Sequence, residues 1–497
     1  MPITASSAPG CSTRGQGALG PRRCPVQRDS VLMEITHYLL RDGVGSEQAY
    51  ATARLALADA LACLFEALTY PEAMKLVGPL VPGTQTPFGA RVPGTSYALD
   101  PMRAAFSTTA LIRWLDYNDT WLAKEWGHPS DNLGAILAVA DHQSRLRRAR
   151  GEAPYRVEDL LALAIKAYEV QGVLALENAL NRVGFDHVHW VKAASAGVAA
   201  LLYGGGEEEV FSALSHAFLD GAALRTYRHF PNTGPRKSWA AADAAARGVF
   251  LAWAATRGEP GYATALSAPT WGFEAVVLKA PVVLARPLGS YVMENVLFKV
   301  AYPAEFHGQT AVEAGFALHK ELKDPLEEVE EILIHTQEAG KRIIDKPGPF
   351  KNPADRDHSL QYMTAVALLF GELRYEHYLE PTASDPRIPA LIARMRVEED
   401  PEFTRAYLDP DRRAIPNRVR LRLRDGRVLE RLVEYPLGHP RRREESRPLL
   451  RQKLQRALRL ALPEGRARAL EHLLLDDPNL LEMPVDRFLQ ALAPEAP

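Results

Sequence analysis

Residues 46–68, SEQAYATARLALADALACLFEAL, decide the fold class. Ser46 is placed to cap a helix, apolar residues recur at three- and four-residue spacing, and Pro71 marks where that helix should stop. Farther along, LLALAIKAYEV (160–170) and ASAGVAALLYG (194–204) are apolar nearly all round, and helices of that kind are buried among other helices rather than laid on a surface. Working outward, the same periodicity predicts helices over 103–117, 132–148, 157–180, 191–203, 207–219 and 240–256, joined by Gly-, Pro- and Asn-containing turns.

The texture changes after Gly289. Residues 291–300 have β-type content, 329–336 (VEEILIHT) mix charge with β-branched residues, and 419–435 (VRLRLRDGRVLERLVEY) alternate apolar and polar residues around Asp425-Gly426. Alternation on both sides of Asp-Gly is a strong hairpin signal. Helical periodicity returns over 448–462, 465–475 and 485–492. The expected fold is therefore mainly α with an α+β insertion. A large all-helical domain is built from both chain ends (31–289 and 439–497), a smaller α+β lid domain spans 290–438, and a disordered N-terminal arm covers 1–30. The basic run 439–447, HPRRREESR, reads as an exposed re-entry whose acidic residues and lack of aromatics argue against nucleic-acid binding.

Composition narrows the function. The 497 residues carry 59 basic and 61 acidic groups, a formal charge of -2, which argues against a dedicated nucleic-acid binder. The three cysteines, Cys11, Cys24 and Cys63, form no CxxC pair and no disulfide framework, so no metal centre and no cofactor are expected. No apolar run approaches the roughly 18–20 residues of a membrane span, and the N-terminus lacks the apolar centre of a secretory signal. Residues 1–30 read as a disordered arm, or as the product of an upstream start codon with Met33 as a later alternative start, with a transit peptide left open by their Arg-containing, acid-poor composition. An intracellular, cytoplasmic protein is expected.

Five segments could carry chemistry. Residues 115–137 hold Asp116 and Thr120 four apart, aromatic Trp121 and Trp126, and His128 ahead of a Pro-Ser-Asp-Asn helix start, where a carboxylate would bind; an Asx-rich turn is the bland alternative. Residues 232–239 put Arg236 and Lys237 at another helix start, with Arg225, Arg228 and His229 upstream; unpaired cations there oppose the dipole unless an anion joins them. His187 and His189 have strand-like spacing but no third ligand, too little for a metal site. Residues 294–311 bring Lys299, Glu305 and His307 together, as acid/base groups, an anion clamp or a solvated strand end. In 353–371, Arg356, His358 and Tyr362 precede an apolar helix. No phosphate loop, dinucleotide turn or GxSxG elbow accompanies them. The combination points to cofactor-free proton chemistry on a polyanionic small molecule, such as β-elimination of water from a hydroxy-polycarboxylate.

At 116–132, DYNDTWLAKEWGHPSDN, the sequence resembles the MmgE/PrpD family. RVPGTSYALDP (91–101), ALENALNRVGFDHV (175–188), LRTYRHFPNTGPRKSWAAADA (224–244), RPLGSYVMENVLFKVAYPAEFHGQTAVEA (286–314), RIIDKPGPFKNPADRDHSLQYM (342–363) and VEYPLGHPRRR (433–443) look like family segments in the family's order, covering about 30–490. The resemblance implies a helical body, a lid and a homodimer, with the active site in the cleft between body and lid. It implies cofactor-independent dehydration of 2-methylcitrate to 2-methyl-cis-aconitate in propionate breakdown, with citrate or cis-aconitate as further tricarboxylate substrates. Related members decarboxylate cis-aconitate or act on other small carboxylates, so family membership alone does not fix the reaction. A non-catalytic helical binding protein is the reading from a different class. The family's site positions fall on Asp116, Thr120, His128, Lys237, Lys299 and Tyr362. His187 is matched with His189 as its alternative, and Glu305 is matched with His307 two residues on. In the expected mechanism Arg236, Lys237 and Lys299 hold carboxylates, Asp116, His128 or a lid residue takes a proton, and a protonated histidine or Tyr362 assists hydroxide departure.

Overall fold

In the computed structural model, which describes residues 27–494 apart from Asp42 and Phe230, helices account for most of the chain up to residue 255. They are α1 (Ser30–Leu40), α2 (Glu47–Ala67), α3 (Pro101–Arg113), α4 (Leu133–Ala149), α5 (Val157–Glu177), α6 (Val188–Leu202), α7 (Glu207–Leu219) and α8 (Arg236–Ala255). The capping oxygen of α2 is the one expected, Ser46 Oγ, which accepts from the Ala49 N–H at 3.1 Å. The helices that follow include α9 (Gln309–His319), α10 (Glu338–Ile344) and α11 (Leu360–Phe370). The chain then closes with α12 (Arg443–Ala461), α13 (Glu464–Leu475) and α14 (Val485–Leu492).

Buried apolar side chains fall into two clusters. The first joins α1–α8 to the last three helices through residues such as Leu32, Phe65, Trp190, Leu454 and Phe488. The second is built on α9–α11 and a four-stranded sheet, through Val312, Ile332, Ile334, Met363 and Leu421. Each fully buried Leu, Phe or Met contributes about 1.5–3 kcal/mol, so both clusters are strongly held. Leu115, Tyr117, Leu122 and Trp126, between α3 and α4, pack into the second cluster, whereas Trp121 packs into the first, so the loop carrying Asp116 and Thr120 is gripped from both sides.

The sheet consists of β1 (Val329–Thr336), β2 (Met395–Glu399), β3 (Asn417–Leu423) and β4 (Val428–Val433), in spatial order β2-β1-β3-β4. β2 runs parallel to β1, and β3 antiparallel to both β1 and β4. The expected hairpin turns at Gly426 (φ 88°), a left-handed conformation that glycine adopts without strain. Val419, Leu421 and Leu423 face inward while Arg420 and Arg422 face out.

Three local readings are refined. Residues 291–300 form a short helix (Tyr291–Asn295) and an extended run with an isolated bridge between Leu297 and Thr120 and a Phe298 N–H that donates to the Gly438 carbonyl. The run 439–447 forms a turn at Pro440–Arg442 and the first residues of α12, with Arg441, Glu444, Glu445 and Arg447 exposed and Arg442 paired to Glu313 and Glu445. α8 begins at Arg236, four residues earlier than its alanines suggested. The expected arm lies outside the described residues as far as residue 26, with Cys11 and Cys24, but Arg28 and Asp29 are already anchored to Glu208 and Ser267. Among the described residues no helix is long and apolar enough to cross a membrane.

One long-range tie underlies the site. Lys453 of α12 is buried and donates to Asp59 Oδ1 (2.6 Å) on α2, to the Tyr117 carbonyl (2.7 Å) and to the Lys299 carbonyl (2.9 Å). It thereby fixes the backbone beside both Asp116 and Lys299. Gly438 sits against the same segment: a Cβ there would lie 1.8 Å from the Phe298 carbonyl oxygen, so only glycine permits the approach.

Candidate active site

α3 ends at Arg113, and three residues later Asp116 adopts φ 48°, a left-handed conformation that aspartate tolerates better than most residues. Arg113 donates to Asp116 Oδ1, which also accepts from Lys299 Nζ at 3.0 Å; the same ammonium donates to the Asp116 carbonyl at 2.6 Å. Burial pushes this carboxyl up, but Arg113, Lys299 and Lys237 outweigh it and hold it well below the usual carboxylate range. Asp116 Oδ2 accepts no hydrogen bond and lies 3.7 Å from His358 Nδ1.

His128 stands just before the turn Pro129–Asn132 that leads into α4. Its Nδ1 is 2.6 Å from the Asp119 carbonyl oxygen, which can only accept, so Nδ1 carries the proton and Nε2 is left with a lone pair. Nε2 lies 3.8 Å from Asp116 Oδ1. Burial, then Arg113 and Lys299, hold the imidazole well below its ordinary value, so it is neutral. Thr120 Oγ1 is 3.4 Å from His128 Nδ1, and its backbone exchanges hydrogen bonds with Leu297, two residues from Lys299.

His187, at the start of α6, faces His128 with ring centres 5.9 Å apart. Neither of its nitrogens has a hydrogen-bond partner, although Nδ1 is 3.1 Å from Asp186 Oδ1. Asp186 is gripped by the Arg228 fork, which with His187 and Arg225 keeps it ionised against its burial. Arg225 lies 5.2 Å over Trp126 and its Nη1 is buried without a hydrogen bond. Of the other histidine of that segment, Nδ1 of His189 meets the Gly221 carbonyl and the ring stacks on Phe273, away from the cavity.

Lys299 and Glu305 lie on the segment leading into α9. Burial lowers the Lys299 ammonium, opposed by Asp116. Glu305 faces the cavity, whereas His307 stands behind it: Nδ1 meets Glu305 Oε1 at 2.8 Å and Nε2 meets the Tyr407 hydroxyl at 3.1 Å. Lys237, in the first turn of α8, donates to Asp357 and lies 3.1 Å from His358 Nδ1. Its neighbour Arg236 is partly exposed and stacks on Trp239 at 4.3 Å. Tyr362 is not at the cavity; its hydroxyl donates to the His377 carbonyl at 2.8 Å within the second cluster.

The cavity is lined by Arg113, Asp116, Trp126, His128, His187, Arg225, Arg228, Lys299, Glu305, Phe306, Ile343 and His358. Space for the centre of a water-sized sphere amounts to about 20 Å³, room for one or two waters, so this conformation is nearly closed. Four cations face two carboxylates and three histidines. With Asp116 Oδ2, Arg225 Nη1 and both His187 nitrogens unsatisfied, the walls lack the partners that a small polar anion would supply. Asp116, Asp357 and His358 bring one potential metal-ligand atom each within 4.8 Å of one another, but Arg113, Lys237 and Lys299 already occupy these carboxylates, and a metal cation would have to displace them.

The sequence did not single out Arg113, which reads as an ordinary basic residue at a helix C-terminus, or Asp186 and Asp357, each hidden beside a histidine. His358 was visible, four residues ahead of Tyr362 on the same helix start.

Two family models match the chain, the MmgE/PrpD N-terminal domain over residues 34–283 and the MmgE/PrpD C-terminal domain over 302–477. A 2-methylcitrate dehydratase of Cupriavidus necator is 52% identical over 470 residues, 94% of this chain and 97% of that protein. One from Escherichia coli K12 is 51% identical over 93% of this chain and 96% of its own length. A mitochondrial 2-methylcitrate dehydratase of Yarrowia lipolytica is 49% identical over 93% and 89%.

Proposed function

The chain belongs to the MmgE/PrpD family, and we propose that it is a hydro-lyase that dehydrates 2-methylcitrate to 2-methyl-cis-aconitate, a step of propionate catabolism. The observation that carries this reading is identity of about half of all positions, over nearly the whole of both chains, to proteins of that activity. The cavity supports it, because it joins a neutral imidazole, a buried ammonium and several arginine donors in one enclosed space.

The reaction removes a proton from the methyl-bearing carbon, beside a carboxylate, and expels the neighbouring hydroxyl. Arg225, with Arg228 behind it, holds that carboxylate and stabilises the negative charge that grows on it as the C–H bond breaks. His128 Nε2 takes the proton. Lys299 gives one to the departing hydroxyl, which leaves as water, and its lowered proton affinity suits it to that role. Asp116 lies between the two, 3.8 Å from His128 Nε2 and 3.0 Å from Lys299 Nζ, and passes the proton back from imidazolium to amine. Thr120 fixes the segment opposite Leu297, His187 and Lys237 with His358 bind the outer carboxylates, and Glu305 orients the substrate. Tyr362 and His307 serve the site from behind, and Arg236 acts at its rim.

In this reading the helical body (31–289 with 439–497) and the lid (290–438) meet at the cavity, and admission of substrate requires them to part. The protein works as a cytoplasmic homodimer. The test is incubation of purified, chelator-treated protein with 2-methylcitrate, citrate and cis-aconitate separately. Growth of ultraviolet absorbance from the conjugated double bond with 2-methylcitrate supports the reading. Release of carbon dioxide from cis-aconitate without dehydration overturns it, and loss of activity on chelation overturns its metal-free form.

A further inference from the structure

Residues 345–352 form a strap between α10 and the turn Pro353–Arg356 ahead of α11. The strap adjoins the site: Ile343, just before it, lines the cavity, and Asn352 at its end donates to the Thr233 carbonyl at 3.2 Å, beside the start of α8. Lys346 lies within it. Its backbone is pinned to the start of α11, with the N–H donating to Gln361 Oε1 at 3.0 Å and the carbonyl accepting from Ser359 Oγ at 2.6 Å, one residue from cavity-lining His358.

The side chain is what requires explanation. Lys346 Nζ is buried and has no hydrogen-bond partner. The charges whose fields reach it are Lys237, Asp357, Asp355 and Glu305, and it bears in turn on His229, beside Arg225 and Arg228. Other buried lysines have partners: Lys299 and Lys453 both donate to a carboxylate and to backbone carbonyls, and Lys237 donates to Asp357. A buried ammonium without a partner costs several kcal/mol, and that cost persists in a fold only where something else supplies the partner.

We propose that Lys346 is a substrate-binding residue whose ammonium takes a terminal carboxylate of the tricarboxylate. The assignment rests on the reading of the cavity as a tricarboxylate site. It makes the strap the part of the lid that grips substrate, and it accounts for a lysine left open among otherwise paired charges.

The experiment compares full-length wild type with Lys346→Met, Lys346→Arg and, as a charge control on the same strap, Lys351→Met. Calorimetry measures binding of propane-1,2,3-tricarboxylate, which has no hydroxyl to eliminate, and steady-state absorbance measures turnover of 2-methylcitrate. A charged hydrogen bond of this kind is worth about 10- to 100-fold in affinity. Lys346→Met should weaken binding and raise KM by that factor, with kcat within about threefold. Its ligand-free melting temperature should not fall, because the group removed is unpaired. Lys346→Arg should stay within about threefold of wild type in binding, and Lys351→Met should match it. Unchanged tricarboxylate affinity in Lys346→Met overturns the assignment. So does equal weakening in Lys346→Arg and Lys346→Met, which would mark a packing defect. If wild type binds the probe through Lys346 but does not turn over 2-methylcitrate, the substrate reading fails and the binding role stands.

Discussion

Asp116 is the residue on which the site's geometry and chemistry both converge, and replacing it separates the two. Asp116→Asn keeps the shape, keeps an oxygen for Lys299 and keeps a residue that tolerates φ 48°. It removes the negative charge shared by Arg113 and Lys299, both buried. Removing one partner of a buried ion pair costs about 3–5 kcal/mol. At roughly 2 cal/mol/K per residue of unfolding entropy, a chain of 497 residues melts about 1 °C lower per kcal/mol, so a loss of about 3–5 °C is expected. Asp116→Ala should lose about 1–2 kcal/mol more, because alanine has no local compensation for the left-handed backbone. In activity, loss of a positioned proton-transfer group lowers kcat by about 10²–10⁴-fold. Absorbance of the conjugated product under saturating 2-methylcitrate measures kcat, and scanning fluorimetry measures melting. A kcat within threefold of wild type in Asp116→Asn would refute its place in the proton path. Equal melting of the Asn and Ala variants would refute the backbone argument.

Other outcomes follow from the same environments. Because burial, Arg113 and Lys299 hold His128 well below an ordinary histidine, kcat/KM should stay level as pH falls through 6.5 and decline only lower; a half-loss near 6.5 would mean an unperturbed base. Burial pushes Glu125 up to about 7 against the pull of Arg225, so the folded state keeps a proton that the unfolded chain releases near its ordinary value of 4.5. Its contribution to stability is therefore complete below pH 4.5 and lost as pH rises through 7, about 3 kcal/mol in all. Glu125→Gln should accordingly gain stability relative to wild type between pH 5 and 8, measured by urea unfolding, and a constant difference would contradict the assignment. Tyr362→Phe should leave kcat/KM within about threefold while costing about 1 kcal/mol, since the lost hydrogen bond goes to the His377 carbonyl and not to the cavity; a hundredfold fall in turnover would place the hydroxyl at the reacting atoms.

Much of the molecule was legible because its signals are local. The 46–68 helix and its cap, the Asp-Gly hairpin and the five segments that supply residues to the site all announce themselves by spacing and residue type. What stayed hidden depends on partners far apart in sequence. Arg113 looks like a routine helix-end cation until Asp116 folds back onto it. Tyr362 and His358 lie four residues apart, and only the packing of α11 decides that the histidine reaches the cavity while the tyrosine hydroxyl meets His377. Glu305 and His307 are a similar case, since a carboxylate in front and an imidazole behind give the same local pattern as the reverse. In the run 439–447 charge density does mark exposed residues such as Arg441 and Arg447, but it gives no sign that Arg442 finds Glu313 across 129 residues of chain.

The tie at Lys453 has a consequence for how the protein is made. Its partners Asp59 and Tyr117 precede it by 394 and 336 residues, and the backbone beside Asp116 and Lys299 hangs from it. During synthesis every residue that lines the cavity emerges from the ribosome well before α12 does. The nascent chain therefore holds the full set of cavity-lining groups before Lys453 is there to join Asp59 to the backbone of Tyr117 and Lys299, and that tie forms only once α12 has emerged.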